Sequence, residues 1–361
     1  MNMFLFWGIF LLLVLLTLIE SLNRKLISRS VAVGLFIVLT LLVGFRPPQA
    51  VADYEVYILF FELFGPPANY FEDFFTLAVF EPMYYLIPTV LHYVFDLPNY
   101  VNISIWIYAI VGTGLVMLVL RKVSALYYAS LLTLYSYYFL LHEFTQIRAA
   151  VAVSFLLLSV YYRYWKNNRA MLICIFVSML FHYSSILALV LILLPAYNLN
   201  RKVWIALATL TFLISFVNFN SVLSLLNVNV GALSVKQEAY VNGIVDVPIN
   251  RRSLWYLLML LDTLVVIYYA HNIYKQNPYI YLFVKLQVIG LLSFQVLSAS
   301  PVFSLRVSEY FFATHLVCFP AVLHLFKYRF WPTVALCVVL AGVFFFFLQV
   351  SELVKLQYYA F

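Results

Sequence analysis

The sequence predicts an all-α, polytopic integral membrane protein. Of its 361 residues, 66% are hydrophobic and only 10% are charged, whereas a typical soluble domain carries roughly 25% charged residues. Apolar runs close to the ~20 residues that cross a ~30 Å hydrocarbon core recur along the chain. These runs show no period-two alternation, so we expect helices rather than a barrel to satisfy the backbone hydrogen bonds in the membrane.

About twelve apolar segments are predicted to cross the membrane. They are residues 3–20, 30–45, 101–120, 124–141, 149–164, 170–182, 184–198, 203–222, 254–273, 279–298, 311–326 and 332–350. The first segment lacks a basic leader and a small-residue cleavage site, so we interpret it as a retained helix. Residues 1–361 are expected to form a single membrane domain. The cysteines lie inside apolar runs without metal-ligand spacing and are expected to be packing residues: Cys174, Cys318 and Cys337.

The basic residues predict the orientation of these helices. Lysine and arginine favour cytoplasmic loops, and the clusters assigned to that side are Arg24/Lys25/Arg29, Arg121/Lys122, Arg163/Lys166/Arg169, Arg201/Lys202, Lys275 and Lys327/Arg329. The loops between them carry most of the acids and are predicted to face outside, as are both termini. The net charge of +7 is dispersed over short loops rather than gathered in a stripe, so no nucleic acid partner is expected.

Two long loops are predicted on the outer face. Residues 46–100 include an apolar stretch, residues 76–95, that is interrupted at Pro82 and Pro88. Counting this stretch as a crossing would invert every later loop, so we predict an amphipathic helix that is re-entrant or interfacial. The second loop, residues 227–253, has the composition of a soluble flap, and it could equally be a plain connector.

The first polar cluster follows the second predicted helix. Gly44-Phe45-Arg46 precedes Asp53, Tyr54 and Tyr57, and in a helix Asp53 and Tyr57 share a face. The cation and the carboxylate could bind a ligand. Alternatively, arginine and tyrosine could anchor the chain at the headgroup level.

The second cluster surrounds the predicted start of another helix. His142, Glu143 and Gln146 lie close together, Thr145 is a plausible N-cap, and Arg148 falls in the first helical turn. A helix N-terminus with an arginine is suited to binding an anion. The alternative is that the arginine extends to a lipid phosphate.

The third cluster begins with Ser300 and Pro301, which are typical of a helix cap and first position. Arg306, Glu309 and Tyr310 then fall on one helical face. They could form part of a site, or Arg306 and Glu309 could form a local ion pair that stabilises the helix end.

The remaining charged candidates are a histidine and two intramembrane charges. His182 lies where two short helices meet, and it could contact phosphate, transfer a proton or hydrogen bond at the turn. Asp262 and Lys285 are predicted to pair in consecutive helices. The sequence has no D-x-D, no H-E-x-x-H and no Gly-rich phosphate loop, so neither a metal site nor a cofactor is expected, and arginines would neutralise any phosphate.

These motifs occur in a recognisable order. G-F-R with D-Y-x-x-Y, then E-P, Q-I-R-A-A-V-A-V, F-H-Y-S-S and R-V-S-E-Y-F resemble the EpsG-like branch of the Wzy polysaccharide polymerases over most of the chain. The resemblance implies a metal-independent glycosyltransferase, similar in fold to the GT-C class, at the outer face of a bacterial cytoplasmic membrane. It implies undecaprenyl-diphosphate-linked oligosaccharides as donor and acceptor within the lipid bilayer, and a chain-length regulator and a flippase as further partners.

The resemblance also implies roles for individual residues. Four cations are expected to bind the diphosphate: Arg46, Arg148, His182 and Arg306. Asp53 and Glu81 are candidates for the catalytic base, with Glu81 preferred because a desolvated carboxylate beside Pro82 should have a raised pKa. The residues expected to contact the substrate are Tyr54, Tyr57, His142, Glu143, Gln146, Glu309 and Tyr310.

Two other classes of function stay open at the level of sequence. A flippase or transporter for lipid-linked oligosaccharides has a similar number of helices, although such proteins usually show repeated halves and helices broken at the midplane. A membrane acyltransferase that modifies a surface glycan is the other alternative. The sequence does not distinguish O-antigen, capsule and exopolysaccharide as the product.

Overall fold

The computed structural model describes residues 3–23, 28–47, 51–63, 81–217, 249–298 and 300–350, and no strand occurs within these ranges. The α-helices are α1 (Met3–Leu22), α2 (Arg29–Gly44), α3 (Ala52–Leu63), α4 (Pro82–Thr89), α5 (Tyr100–Val123), α6 (Tyr127–Thr133), α7 (Ile147–Tyr164), α8 (Asn168–Phe181), α9 (Arg201–Ile214), α10 (Leu254–Tyr274), α11 (Ile280–Val296), α12 (Pro301–Phe312), α13 (His315–Ala321) and α14 (Phe330–Phe345). Three continue as π-helices, α4 over Val90–Val94, α6 over Leu134–Glu143 and α14 over Phe346–Val350. A 3₁₀-helix, Tyr183–Ile192, follows α8, and another, Val322–Leu325, extends α13.

The helices confirm the prediction of a helical membrane protein. Five are long and apolar enough to cross a membrane: α1, α5, α7, α10 and α14 with its π-helical extension. Five shorter apolar helices accompany them among the described residues: α2, α8, the 3₁₀-helix Tyr183–Ile192, α11 and α13 with its extension.

The predicted number of about twelve crossings is not supported. Several predicted crossings form helices that are too short to span hydrocarbon alone. The segment predicted over residues 184–198, for example, is the ten-residue 3₁₀-helix Tyr183–Ile192, which at ~2.0 Å per residue extends only ~20 Å. The segment predicted over residues 203–222 is described as a helix only to Ile214.

α6 and its π-helical extension form one continuous helix at the centre of the bundle, the central helix. Every residue from 128 to 143 is buried, as expected of a helix that is apolar around its whole circumference. α11 is similarly enclosed. α7 packs against α5 and α8 and also contacts α11 and α12, and its first turn is mostly buried.

The polar clusters separate to the two ends of the bundle. At one end Lys122 lies 5.2 Å from the ring of Tyr161, and the amide of Asn277 donates to the carbonyl of Val123 at 3.1 Å. The basic loops after α5, α7 and α10 therefore share this end, as the charge pattern predicts. The residues proposed for the site lie at the other end, and its assignment to the outer face stays a prediction.

The predicted Asp262–Lys285 pair is wrong. The Lys285 ammonium donates to two backbone carbonyls, including that of Asn198 at 2.5 Å. Asp262 Oδ2 instead accepts from Gln287 Nε2 at 3.1 Å and lies 3.1 Å from His315 Nδ1. Residues two apart on a helix point in different directions, so when the side chain at position 287 faces α10, the one at position 285 cannot.

The two predicted outer loops are described only in part. Within residues 46–100 the structure contains α3, α4 and the start of α5, while residues 48–50 and 64–80 lie outside the described ranges. The predicted apolar helix is present as α4 and its extension, which together are too short to cross the bilayer. Of residues 227–253, only 249–253 are described. The re-entrant and flap assignments stay predictions.

Candidate functional site

Arg148 lies in the first turn of α7, where the backbone N–H groups of a helix favour an anion. Its Nη1 forms an ion pair with Glu81, the residue that precedes α4. The guanidinium carbon lies 4.7 Å from the ring centre of Tyr84 and 5.6 Å from that of Tyr57. Nε of Arg148 is buried and has no hydrogen-bond partner within the described ranges. One donor is therefore left for a ligand.

The N-terminus of α7 is formed differently from the prediction. Thr145 is not the N-cap, because its hydroxyl donates to the carbonyl of Leu140 at 2.9 Å. Gln146 occupies the cap position without a side-chain hydrogen bond to the first turn. The reason is the preceding π-helix, whose final turn leaves a carbonyl within reach of Thr145. The first amides of α7 are consequently not covered by a capping side chain.

Arg46 follows α2 closely and is only 2% exposed. Nη1 donates to the backbone carbonyl of Glu143 at 3.2 Å, and the guanidinium lies 4.9 Å from the ring centre of Tyr54 and 5.9 Å from that of Phe144. Nε and Nη2 have no partner among the residues described. Burial lowers the pKa of Arg46 to about 10, so the side chain stays cationic at neutral pH and retains two N–H donors.

The helix α3 connects the two arginines. Tyr57 is buried within electrostatic range of Arg148, Asp53 and Arg306, and Asp53 also influences Arg46. Burial raises the pKa of the Tyr57 hydroxyl, so it stays a neutral hydrogen-bonding group. Asp53 and Tyr57 share a helical face, as the spacing predicts, and this face points toward the cations.

α12 carries the residues of the third predicted cluster. Ser300 takes the N-cap position and Pro301 the first helical position, as predicted, although the serine hydroxyl does not bond the first turn. Arg306 and Glu309 form no ion pair within 4.0 Å in the described part of the chain, so the local pair does not explain them. The Tyr310 hydroxyl lies 3.3 Å from Ser178 Oγ, which attaches α12 to α8.

Glu309 is partly exposed and receives hydrogen bonds from the central helix. The Tyr137 hydroxyl donates to Glu309 Oε1 at 3.4 Å, and the Tyr138 hydroxyl donates to the Glu309 backbone carbonyl at 3.3 Å. α12 is not one of the helices that are apolar and long enough to span a membrane. Burial raises the pKa of Glu309 to about 7, against opposing effects of Arg306 and the Tyr137 hydrogen bond.

The histidines lie beside these groups. His182 separates α8 from the 3₁₀-helix, as predicted, and its Nδ1 accepts the backbone N–H of Ser184 at 3.3 Å. The turn therefore uses one ring nitrogen as an acceptor. His142 lies within electrostatic range of His182 and beside Gln146, and its ring centre is 5.0 Å from that of Tyr138.

Glu143 is buried against a glycine of α5. A Cβ at Gly112 would lie 2.5 Å from Glu143 Oε2, so the carboxylate occupies the space that this glycine leaves. Glu143 also lies within electrostatic range of Arg46. Burial raises the pKa of Glu143 to about 8, against the opposing effect of Arg46, so the side chain is mostly protonated at neutral pH.

Several of the predicted site residues lie near one another in the structure. Arg148 lies 5.6 Å from the ring centre of Tyr57, Arg306 acts electrostatically on the same tyrosine, and Asp53 acts on both Tyr57 and Arg46. The sequence interpretation missed four buried tyrosines, which are Tyr84, Tyr108, Tyr137 and Tyr138. The sequence does not single out these tyrosines, because tyrosines in apolar sequence more often lie at the membrane interface.

The arrangement is suited to binding a multiply charged anion. Arg46 and Arg148 each keep at least one buried N–H group without a partner in the described part of the chain, and Arg306 acts electrostatically on Tyr57, which lies beside Arg148. Arginine binds phosphate oxygens through paired N–H groups. Across the residues described, no group of three His, Cys, Asp or Glu side chains could hold a metal ion.

The chain matches a known protein family. A family model described as the EpsG family matches residues 31–361. No curated protein and no solved structure matches the chain.

Proposed function

The chain belongs to the EpsG family, and from this premise we propose that it is a polysaccharide polymerase, a glycosyltransferase that joins oligosaccharide repeat units carried on undecaprenyl diphosphate. The family suggests the polymerase role. The lipid carrier, the reaction and the outer face of the bacterial cytoplasmic membrane are parts of the proposal. The O-antigen, capsule or exopolysaccharide identity of the product is not assigned.

The position of Arg148 beside Tyr57, on which Arg306 also acts electrostatically, together with the buried Arg46, is the observation that supports the proposal most directly. A diphosphate leaving group carries several negative charges that must be neutralised in a medium of low dielectric constant. Preorganised cationic donors stabilise such a charge strongly because they need no reorganisation during the reaction. Arg46 contributes two unused N–H groups to this role.

In the proposed reaction, a sugar hydroxyl of the incoming repeat unit attacks the anomeric carbon of the growing chain. The bond between that carbon and the diphosphate oxygen breaks, and the electron pair leaves with undecaprenyl diphosphate. Arg46, Arg148 and Arg306 hold the diphosphate, and His182 contributes a further contact. The family resemblance points to Asp53 or Glu81 as the group that accepts the proton.

The polar side chains around the arginines are proposed to hold the sugars. They are Tyr54, Tyr57, His142, Glu143, Gln146, Glu309 and Tyr310. Tyr54 and Glu143 act electrostatically on Arg46, Tyr57 lies beside Arg148, and Glu309 is influenced by Arg306, which supports this part of the proposal. Their hydroxyl, amide and carboxylate groups are of the kind that bind sugar hydroxyls.

A reconstitution experiment tests the proposal. Purified protein in liposomes is given a fluorescent, undecaprenyl-diphosphate-linked repeat unit, and the products are separated by length. We expect a ladder with wild-type protein and a rate reduced on the order of 10²–10³-fold for Arg148→Ala and Arg306→Ala. Arg329→Ala at the opposite end of the bundle is the matched control. Transport of the lipid without longer chains would contradict the proposal and favour a flippase.

A further inference from the structure

The proposed reaction needs a group that accepts the proton of the attacking hydroxyl. We propose that this catalytic base is Glu309 on α12 and that Tyr137 is the residue that positions it. The inference rests on the polymerase function proposed above. It departs from the resemblance, which points to Asp53 and Glu81.

Glu81 is poorly placed to act as the base. Its carboxylate faces the guanidinium of Arg148, and the side chain is only 6% exposed. An adjacent arginine stabilises the ionised carboxylate and so weakens it as a proton acceptor. Glu81 therefore suits the role of holding Arg148 in place.

Glu309 has the opposite arrangement. It is partly exposed, and it lies one helical turn after Arg306 without forming an ion pair with it in the described part of the chain. Tyr137 bonds to one carboxylate oxygen at 3.4 Å, and Tyr138 bonds to the backbone carbonyl of the same residue at 3.3 Å. These bonds fix the direction of the second carboxylate oxygen, beside a group that is proposed to hold the diphosphate.

Tyr137 is itself fixed by its neighbours. Its ring centre lies 4.1 Å from that of Phe347 and 4.6 Å from that of Trp255. It belongs to the ten-residue π-helix of the central helix, and π-helical turns are rare and often occur at functional sites. A base that is oriented by a rigid third group is a recurrent feature of activated nucleophiles.

The acceptor hydroxyl gives its proton to Glu309, its oxygen forms a bond to the anomeric carbon, and the diphosphate leaves with the electron pair of the broken bond. Water then removes the proton from Glu309. The pKa of about 7 that burial gives Glu309 is consistent with proton abstraction near neutral pH. Arg306, Tyr137 and Tyr138 are the charged or titratable groups that interact with it in the described structure.

The test is the pH dependence of the initial rate of ladder formation, measured from about pH 5 to pH 9 with the fluorescent repeat unit. We expect Glu309→Gln to lower kcat roughly 10²–10⁴-fold with KM changed less than about threefold. Tyr137→Phe removes a hydrogen bond that stabilises the Glu309 carboxylate, so the pKa of Glu309 should rise. The acid limb of the profile, where the rate falls as Glu309 becomes protonated, should then move to higher pH. Tyr135→Phe, in the same π-helix, loses only a hydroxyl bond to the Phe6 carbonyl and should leave the limb unmoved.

The outcomes separate the two proposals. A wild-type rate with an intact acid limb in Glu309→Gln would refute the base. An unmoved limb in Tyr137→Phe would refute the positioning role, because a merely structural tyrosine changes the amount of folded protein and not the pH profile. A wild-type protein that forms no ladder would overturn the polymerase function itself. The pH profile of Tyr137→Phe compares rates of the same protein at different pH values, so it does not depend on the amount of folded protein. It therefore tests the inference even if Glu309→Gln folds poorly.

Discussion

Arg148 and Glu81 form an ion pair that joins the first turn of α7 to the residue preceding α4, across 67 positions of sequence. The rings of Tyr57 and Tyr84 lie against the guanidinium and restrict its movement. The pair therefore holds α4 against the centre of the bundle. It also sets the direction in which the remaining donors of Arg148 point.

Breaking this pair should destabilise the protein. Glu81→Gln leaves the mostly buried guanidinium without its counter-charge, a change that typically costs about 3–5 kcal/mol. We expect a loss of that order in the unfolding free energy, measured by tryptophan fluorescence in detergent micelles. Glu55→Gln on exposed α3 surface is the matched control and should change stability by less than ~0.5 kcal/mol. A double variant, Glu81→Leu with Arg148→Met, removes both charges and should be more stable than Glu81→Gln. If it loses as much unfolding free energy as Glu81→Gln, or more, the ion pair is not the cause of the destabilisation.

Gly44 has a packing role just before Arg46. A Cβ at this position would clash with the indole ring of Trp106, which would have to shift. Gly44→Ala is therefore expected to cost about 1–3 kcal/mol through overpacking. Gly34→Ala in the same helix meets nothing within 4 Å and should be neutral or stabilising by up to ~1 kcal/mol. In a Trp106→Leu background the cost of Gly44→Ala should largely disappear, and thermal unfolding of the four proteins measures this coupling.

The sequence predicted the cations of the site more reliably than their partners. Arg46, Arg148 and Arg306 were identifiable because an arginine at the end of an apolar helix is costly without a role. Their positions relative to one another depend on how helices pack, and the pairing of Arg148 with Glu81 links distant segments. Neither property leaves a local pattern in the chain.

The central π-helix explains a further limit of sequence interpretation. Residues 134–141 are mostly apolar and aromatic, and they belong to the crossing predicted over residues 124–141. The wider turn changes which side chains share a face, so the approach of Tyr137 and Tyr138 to Glu309 could not be derived from a period of 3.6 residues. The same turn places Thr145 beside a carbonyl and removes it from the cap position.

The separation of Asp262 from Lys285 can be tested by double substitution. Lys285→Met deprives two carbonyls of their donor and should cost about 1–3 kcal/mol. Asp262→Asn disturbs a different set of bonds, so the two effects should add within ~0.5 kcal/mol in unfolding measurements. Asp262→Asn with Gln287→Leu should be non-additive, because those side chains share a hydrogen bond. Strong coupling between positions 262 and 285 would restore the pair predicted from sequence.

Glu309 should also make stability depend on pH. Burial raises its pKa in the folded state from 4.5 to about 7, so the folded protein binds this proton more tightly than the unfolded chain does. The stabilisation is fully present below about pH 4.5 and is lost as the pH rises through 7. Glu309→Gln resembles the protonated side chain and escapes this loss. We expect the variant to gain stability relative to wild type between pH 5 and pH 8, by on the order of 2 kcal/mol. This is less than the free energy equivalent to the full pKa shift, because the side chain is partly exposed.

Glu55→Gln is the control in the same series of thermal unfolding curves. A difference between Glu309→Gln and wild type that stays constant over this range would show that Glu309 does not titrate there.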